Sequence, residues 1–310
     1  MRAGRFQHTI SHPCHVSGRG YWSGQPITLT FLPAPAETGV RFVRTDLPDR
    51  PSVEAIADHR IDMQLRTRLA KGSAVVDMVE HVLAALYGMQ IDNVEIHCTG
   101  CEMPGLDGSS LAYALALDDA GCTPLRNRRA TLRINKRMRI GEGAQWITVE
   151  PTDSDCLELE YRLDYGPNNP VGTATYATKI SEDAFYHRLS PARTFISLQE
   201  AEQLQKRGLA THVTTRDLLV FDSDGPIDNT LRFNDECARH KALDLLGDLA
   251  LTGIDLVGKV VAHRSGHQMN GQLAEQLRSE FLSAQGFENR GAGNQSGENQ
   301  GGENRTRKAA

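Results

Sequence analysis

Long apolar runs are missing from this sequence. None of its 310 residues belongs to an uninterrupted apolar stretch of membrane-spanning length, and the opening MRAGRFQHTISHPCHVSG has no apolar core of the kind a secretory leader carries. A cytoplasmic location is expected. A cationic excess is missing too: 34 Lys and Arg stand against 39 Asp and Glu, a net charge of -5, which argues against a nucleic-acid partner. The six cysteines, Cys14, Cys98, Cys101, Cys122, Cys156 and Cys237, are scattered in a chain too large to need disulfide staples, so free thiols are expected. Cys98-Thr99-Gly100-Cys101 lacks a second CxxC and reads as buried strand-end cysteines. The glycine-rich segment 17–24 lacks the Lys-Ser/Thr ending of a phosphate loop and precedes a strand, so it reads as a hairpin turn.

What is present is a pattern written twice. Ile27, Leu29 and Phe31 alternate onto one face of a strand over 26–32, and 39–43 continues the alternation. Val79, Val82, Leu83 and Leu86 recur at helical spacing within 77–89, ahead of a strand over 93–97. The segment 104–110 has the turn and capping residues of a loop before a second helix from Leu111. Residues 123–130, with a proline and three arginines, read as a linker. Strands over 131–140, 146–150 and 157–163, a helix around His240, a strand over 256–262 and a helix over 271–282 then repeat the order. His81 to Gly88 with the later Ile91-Asp92 matches His240 to Gly247 with the later Ile254-Asp255, which suggests a degenerate internal duplication. The expected fold is α+β: two related domains, 1–125 and 126–284, each a sheet with two principal helices, the helices packed between the sheets and the active site at the interface. From 285 to 310 the Asn/Gly-rich sequence has little to bury and is expected to be a disordered tail.

The chemistry lies on the repeated helices. His240, Asp244 and Asp248 follow one another at i+4 and form one polar stripe on an apolar-patterned helix. A catalytic zinc takes three ligands from His, Asp, Glu or Cys and keeps one position open; His81, His240 and Asp244 supply such a set, two from one helix and one from the other. Hydrogen-bonded core histidines also fit His81 and His240, and Asp77-x-x-Glu80 also has capping-box spacing. Beside a ligand, however, Glu80 is placed to take a proton from water that a metal has made acidic. His267, in a loop after a strand, would be kept cationic by Asp248 and so could steady an oxyanion and protonate a leaving amine; a solvated loop histidine is the plainer alternative.

These segments resemble the zinc-dependent UDP-3-O-acyl-N-acetylglucosamine deacetylases of lipid A biosynthesis. The resemblance rests on Ser17-Gly18-Arg19-Gly20 with Gly24, the stretch 79–86, residues 104–109, Ala192-Arg193-Thr194-Phe195, residues 205–209, Leu231-Arg232-Phe233, residues 239–248 and Ser265-Gly266-His267, in the family's order. It implies Zn2+ as the cofactor, His81, His240 and Asp244 as its ligands, Glu80 as general base, and His267 as the cationic acid supported by Asp248. It adds Thr194, polarising the scissile carbonyl, Phe195 packing on the sugar, Lys241 facing the diphosphate, and Arg264 contacting substrate. An insertion at 194–212 would form a passage for the acyl chain, lined by Leu198, Ala201, Leu204, Leu209 and Ala210, although their spacing equally describes a helix packed on its domain. A counterpart insertion is expected within 58–70. Three departures bear on affinity: Asp77 adds an acid near the metal, Trp22 stands where many members have histidine, and Glu150 where some have lysine. The implied partners are UDP-3-O-acyl-N-acetylglucosamine and water, the implied state a monomer. A zinc amidohydrolase for another N-acetylated sugar and a non-catalytic nucleotide-sugar binding protein are the competing readings.

Overall fold

Two sheets of the same strand order organise the chain, whose computed structural model describes residues 4–293, with side chains to 286. Strands β1 (Phe6–Ile10), β2 (Cys14–Arg19), β3 (Pro26–Pro33), β4 (Val40–Arg44) and β5 (Ser52–Glu54) come first. A small meander, β6 (Arg60–Ile61), β7 (Arg68–Lys71) and β8 (Ala74–Asp77), leads to helix α1 (Glu80–Gly88), β9 (Val94–Cys98) and α2 (Leu111–Ala120). The first sheet runs β2-β3-β9-β4-β5, with β9 antiparallel to β3 and parallel to β4.

The second half is entered through β10 (Cys122–Arg128) and β11 (Thr131–Arg133), followed by β12 (Met138–Ile140), β13 (Trp146–Glu150), β14 (Leu157–Asp164) and β15 (Thr173–Lys179). A short helix α3 (Glu182–Ala184) continues as one π-helical turn over Phe185–Leu189. Then come β16 (Phe195–Ser197), α4 (Leu198–Lys206), β17 (Leu219–Asp222), β18 (Gly225–Pro226), α5 (Glu236–Leu249), β19 (Asp255–His263) and α6 (His267–Gly293). The second sheet runs β12-β13-β19-β14-β15, with β19 antiparallel to β13 and parallel to β14, and β11 alongside the start of β19. In each half two hairpins receive a fifth strand between them, and that strand follows a buried helix. The duplication read from the sequence is therefore a duplication of topology.

The sheets form where alternation demands it. In β14, Leu157, Leu159, Tyr161 and Leu163 are buried while Glu158, Glu160, Arg162 and Asp164 take the other face. Helices α1 and α5 are buried on nearly all sides, and they pack against each other. Gly88 and Gly247, equivalent in the repeat, permit close approach: a Cβ on Gly88 would meet the Phe185 ring at 2.1 Å, and one on Gly247 the Glu80 carbonyl oxygen at 2.0 Å. The buried faces of both sheets and both helices belong to one apolar core. Among the described residues no helix is long and apolar enough to cross a membrane.

Several expectations change. The segment 123–130 is not a linker: β10 pairs antiparallel with β1, so a division at 125/126 falls inside a strand. Its side chains are mostly exposed, which erases the alternation that marks a half-buried strand. Asp77 ends β8 rather than capping α1, whose N-cap is Val79. The expected strand over 131–140 is two strands, β11 and β12, in different ladders. His267 opens α6 instead of sitting in a loop, and α6 reaches Gly293, past the expected start of the tail, because helical hydrogen bonds are local and need no burial partner. The rest of that tail, 294–310, lies outside the described residues. The cysteines of the described chain are free; Cys98 is buried at the end of β9, but Cys101 is exposed.

Candidate metal centre and active site

Helices α1 and α5 cross where the polar stripe lies, and this brings His81 to His240 and Asp244. Their ligand atoms all lie within 4.8 Å of one another, and all three residues are buried. His81 Nε2 is 3.5 Å and His240 Nε2 3.3 Å from Asp244 Oδ1. That oxygen is buried and has no hydrogen-bond partner among the described residues, a costly state that a cation would relieve. The imidazole rings stand edge to face, 5.0 Å between centroids. His240 Nδ1 is 3.1 Å from the Ala192 carbonyl; a carbonyl only accepts, so Nδ1 carries the proton and Nε2 presents its lone pair toward Asp244. Burial pushes the His240 pKa down to about 3, against the pull of Asp244, and a neutral imidazole is what a metal ligand requires. Burial opposes the Asp244 carboxylate as well, yet the imidazoles and Lys241 around it hold its pKa well below the usual range. The donor set, the fixed tautomer and the orphaned oxygen all fit a zinc-type ion.

A second group of side chains stands beside the triad. Burial raises the pKa of Glu80 above the ordinary carboxylate range, with His267 and His81 pulling the other way, and its Oε2 accepts the Thr67 backbone N–H at 3.0 Å. Met78, two residues earlier, has φ 60°, a strained conformation for its side chain, at the entry to α1. His267 Nδ1 is 2.9 Å from Asp248 Oδ2, which also accepts from Asn270 Nδ2 at 2.9 Å; Asp248 Oδ1 takes the Thr67 hydroxyl at 2.5 Å. Burial would lower the His267 pKa, but Asp248, joined by Asp244 and Glu80, outweighs it and the imidazole is pushed up to about 9. His267 is therefore cationic at neutral pH, with Nε2 3.9 Å from Asp244.

Both groups open into one cavity of about 1130 Å³, lined by Glu80, His81, Thr194, Phe195, His240, Lys241, Asp244, Arg264 and His267 among others. Thr194 is fixed by its backbone N–H to the Gly108 carbonyl at 2.7 Å, and the preceding Arg193 is locked by the buried Glu236, Nε to Oε1 at 2.8 Å. Phe195 stands edge-on to His240, with centroids 6.4 Å apart. Lys241 is not an exposed helix lysine: it lines the cavity and donates to Asp244 Oδ2 at 2.7 Å. Leu198, Ala201, Leu204 and Ala210 line the same cavity. Helix α4 has no buried residue, so its apolar face borders the cavity rather than packing on a core. Leu209 is not brought into the lining: Gly208, at φ 75°, turns the chain after α4 and Leu209 faces solvent.

Further residues complete the site without any motif to mark them, and one of them, Thr67, bridges the two halves. Thr67 joins Glu80 to Asp248, and Asn270 steadies the latter. Met63 and Leu65 from the first half and Ile196, Val213, Leu218 and Val220 from the second extend the apolar lining. None sits at a diagnostic spacing; the expected insertions at 58–70 and 194–212 hinted only at the segments that hold Met63, Leu65, Thr67 and Ile196. Of the three departures, Asp77 is engaged by Arg68, Nε to Oδ1 at 2.6 Å and Nη2 to Oδ2 at 2.7 Å. Trp22 lines the cavity under the Arg66 guanidinium, 4.6 Å from its ring centroid, and Glu150 lies 3.2 Å from Arg137.

A family profile described as UDP-3-O-acyl N-acetylglycosamine deacetylase matches residues 7–279. Among curated proteins named UDP-3-O-acyl-N-acetylglucosamine deacetylase, that of Anaeromyxobacter dehalogenans (strain 2CP-C) is 37% identical over 276 residues, covering 88% of each chain. That of Solibacter usitatus (strain Ellin6076) is 35% identical over 277 residues, covering 89% of this chain and 92% of the relative. That of Geotalea uraniireducens (strain Rf4) is 37% identical over 276 residues, covering 88% and 89%.

Proposed function

This chain belongs to the UDP-3-O-acyl-N-acetylglucosamine deacetylase family, and from that premise we propose that it hydrolyses the N-acetyl group of UDP-linked, 3-O-acylated N-acetylglucosamine, releasing acetate in lipid A biosynthesis. The observation that carries the reading is the meeting of His81, His240 and the orphaned Asp244 oxygen with Glu80 and the His267–Asp248 pair at one cavity that also has an apolar lining. A zinc ion held by His81, His240 and Asp244 would supply Lewis-acid polarisation of the acetamide carbonyl and would acidify water near neutrality.

The protein's own groups then have distinct tasks. Glu80, its basicity raised by burial, takes a proton from the attacking water. As the carbonyl carbon becomes tetrahedral, the Thr194 hydroxyl and cationic His267 meet the developing oxyanion. The C–N bond breaks, the amine leaves with a proton from His267, and acetate is released. Asp248 keeps His267 charged and oriented. Phe195 packs on the sugar, Lys241 and Arg264 face the anionic nucleotide end, and the lining of Leu198, Ala201, Leu204 and Ala210 receives the acyl chain. The enzyme is proposed to act in the cytoplasm as a monomer, which fractionation and sedimentation test.

The deciding assay measures acetate release from UDP-3-O-acyl-N-acetylglucosamine with chelator and again after zinc is restored. Release that is lost and regained supports the reading. Equal rates on substrates with and without the 3-O-acyl group would replace it with a deacetylase for another N-acetylated sugar, and zinc-loaded protein without turnover would leave only a binding protein.

A further inference from the structure

The aspartates of the two repeated Ile-Asp pairs are tied together at a distance from the catalytic groups. Asp92 follows α1 and Asp255 opens β19 after α5, so each marks the chain's exit from a helix that carries metal-competent residues. Arg5 grips both: its Nη1 and Nη2 donate to the two oxygens of Asp92 at 2.7 Å each, while Nη2 reaches Asp255 Oδ1 at 3.0 Å and Nε lies 2.9 Å from Asp255 Oδ2. Arg129, from the crossing between the halves, adds charge contacts at 3.1 Å to Asp92 and 3.5 Å to Asp255, and its backbone N–H donates to the Arg5 carbonyl at 2.8 Å. Tyr87 on α1 accepts the Leu256 N–H at 3.1 Å, a further tie from α1 to the start of β19.

The mechanical reason for such a brace lies in the helix crossing. Helices α1 and α5 pack against each other along buried faces, with Gly247 close against the Glu80 backbone, and the way their exits are held bears on the angle at which they cross. His240 lies seven residues from Gly247, about 10 Å along the axis, so a rotation of about 5° at that point carries it roughly 1 Å from His81. A polar tie at the exits of the two helices adds to the packing that holds this angle. We propose that Arg5 and Arg129 are positioning residues for the metal centre, bridging Asp92 to Asp255 and so fixing His81 against His240 and Asp244. The inference rests on the metal-hydrolase reading above.

The test uses the full chain with Arg5→Gln, measuring zinc affinity by competition with a chelating dye, kcat and KM for acetate release, and folding by circular dichroism. Zinc affinity and kcat should each fall roughly 10- to 100-fold, with KM within about twofold, in a protein that remains folded. The double variant R5Q/D255N restores charge balance without restoring the bridge, so both losses should persist. A variant that loses thermal stability but keeps zinc affinity and kcat would overturn the proposal, as would recovery in the double variant. If R5Q does not fold, Arg129→Gln, which leaves the Arg5 fork in place, should show a smaller loss of zinc affinity, and unchanged affinity would overturn the idea. Zinc binding is read without substrate, so a wrong substrate assignment appears as absent acetate release with affinity intact, while a wrong brace appears as unchanged affinity in the variant.

Discussion

Replacing Gly247 by alanine tests how tightly helices α1 and α5 are held. The added Cβ would stand 2.0 Å from the Glu80 carbonyl oxygen, 2.8 Å from its carbonyl carbon and 3.1 Å from its Cα, all backbone of α1. Backbone cannot swing aside as a side chain does, so the two helices must part by at least about 1 Å to reach even a tight contact. Alanine is the better helix former by ~1 kcal/mol, but overpacking a close-packed interior costs about 1–3 kcal/mol, so a net destabilisation is expected. The same parting moves Glu80 and His81 away from Asp244, and a displacement of about 1 Å costs on the order of 100-fold in turnover. Urea denaturation and kcat/KM for acetate release read the two effects separately. Gly286→Ala, where a Cβ meets nothing within 4 Å, is the control and should leave turnover unchanged. A Gly247→Ala enzyme with the parent's urea midpoint and kcat/KM would refute the close approach and the reasoning built on it.

Glu80→Gln should bind zinc but lose roughly 100- to 10,000-fold in kcat, the size of a general-base contribution, whereas Asp244→Ala should also lose the metal on dialysis; near-normal turnover in the first would remove Glu80 from its role. The activity profile should fall on the alkaline side near pH 9, because His267 holds its proton below a pKa of about 9 and loses it above, and Asp248→Asn should draw that limb to lower pH. An unmoved limb in that variant would mean another group sets it. On the acid side, the raised pKa of Glu80 predicts a loss of activity beginning above the ordinary glutamate range. Ala201→Trp should favour shorter acyl chains: excluding two methylenes at ~0.8 kcal/mol each raises KM for the longer substrate roughly tenfold, and equal effects on all chain lengths would place α4 outside the passage.

The parts of the site that the sequence disclosed are those set by local periodicity. His240, Asp244 and Asp248 share a stripe because helical spacing puts them there, and Glu80-His81 lies on an apolar-patterned helix. What stayed hidden depends on pairing between distant segments. β10 looks like a linker because solvent surrounds most of its side chains, and only β1 makes it a strand. Asp77 has the spacing of a cap, but Arg68 on the neighbouring strand claims its carboxylate. Thr67 carries no motif, yet one residue holds Glu80 through its backbone and Asp248 through its hydroxyl. Leu209 fits the apolar pattern of the passage but is turned out by the glycine before it, a backbone event that side-chain periodicity does not report.

The repeated topology has a consequence for direction. His81 and His240 occupy equivalent positions in two equivalent helices, so a pair of histidines alone would give a site that reads the same from either side. A nucleotide sugar has two unlike ends and needs a site with a front and a back. That polarity is introduced where the copies differ: Glu80 stands opposite Arg239 in the repeat, and Asp244 opposite Ala85. The orientation in which a substrate can lie is thus encoded where the two copies depart from each other, in these side-chain exchanges and in the unlike inserted segments, β6–β8 in the first half and β16–β18 with α4 in the second.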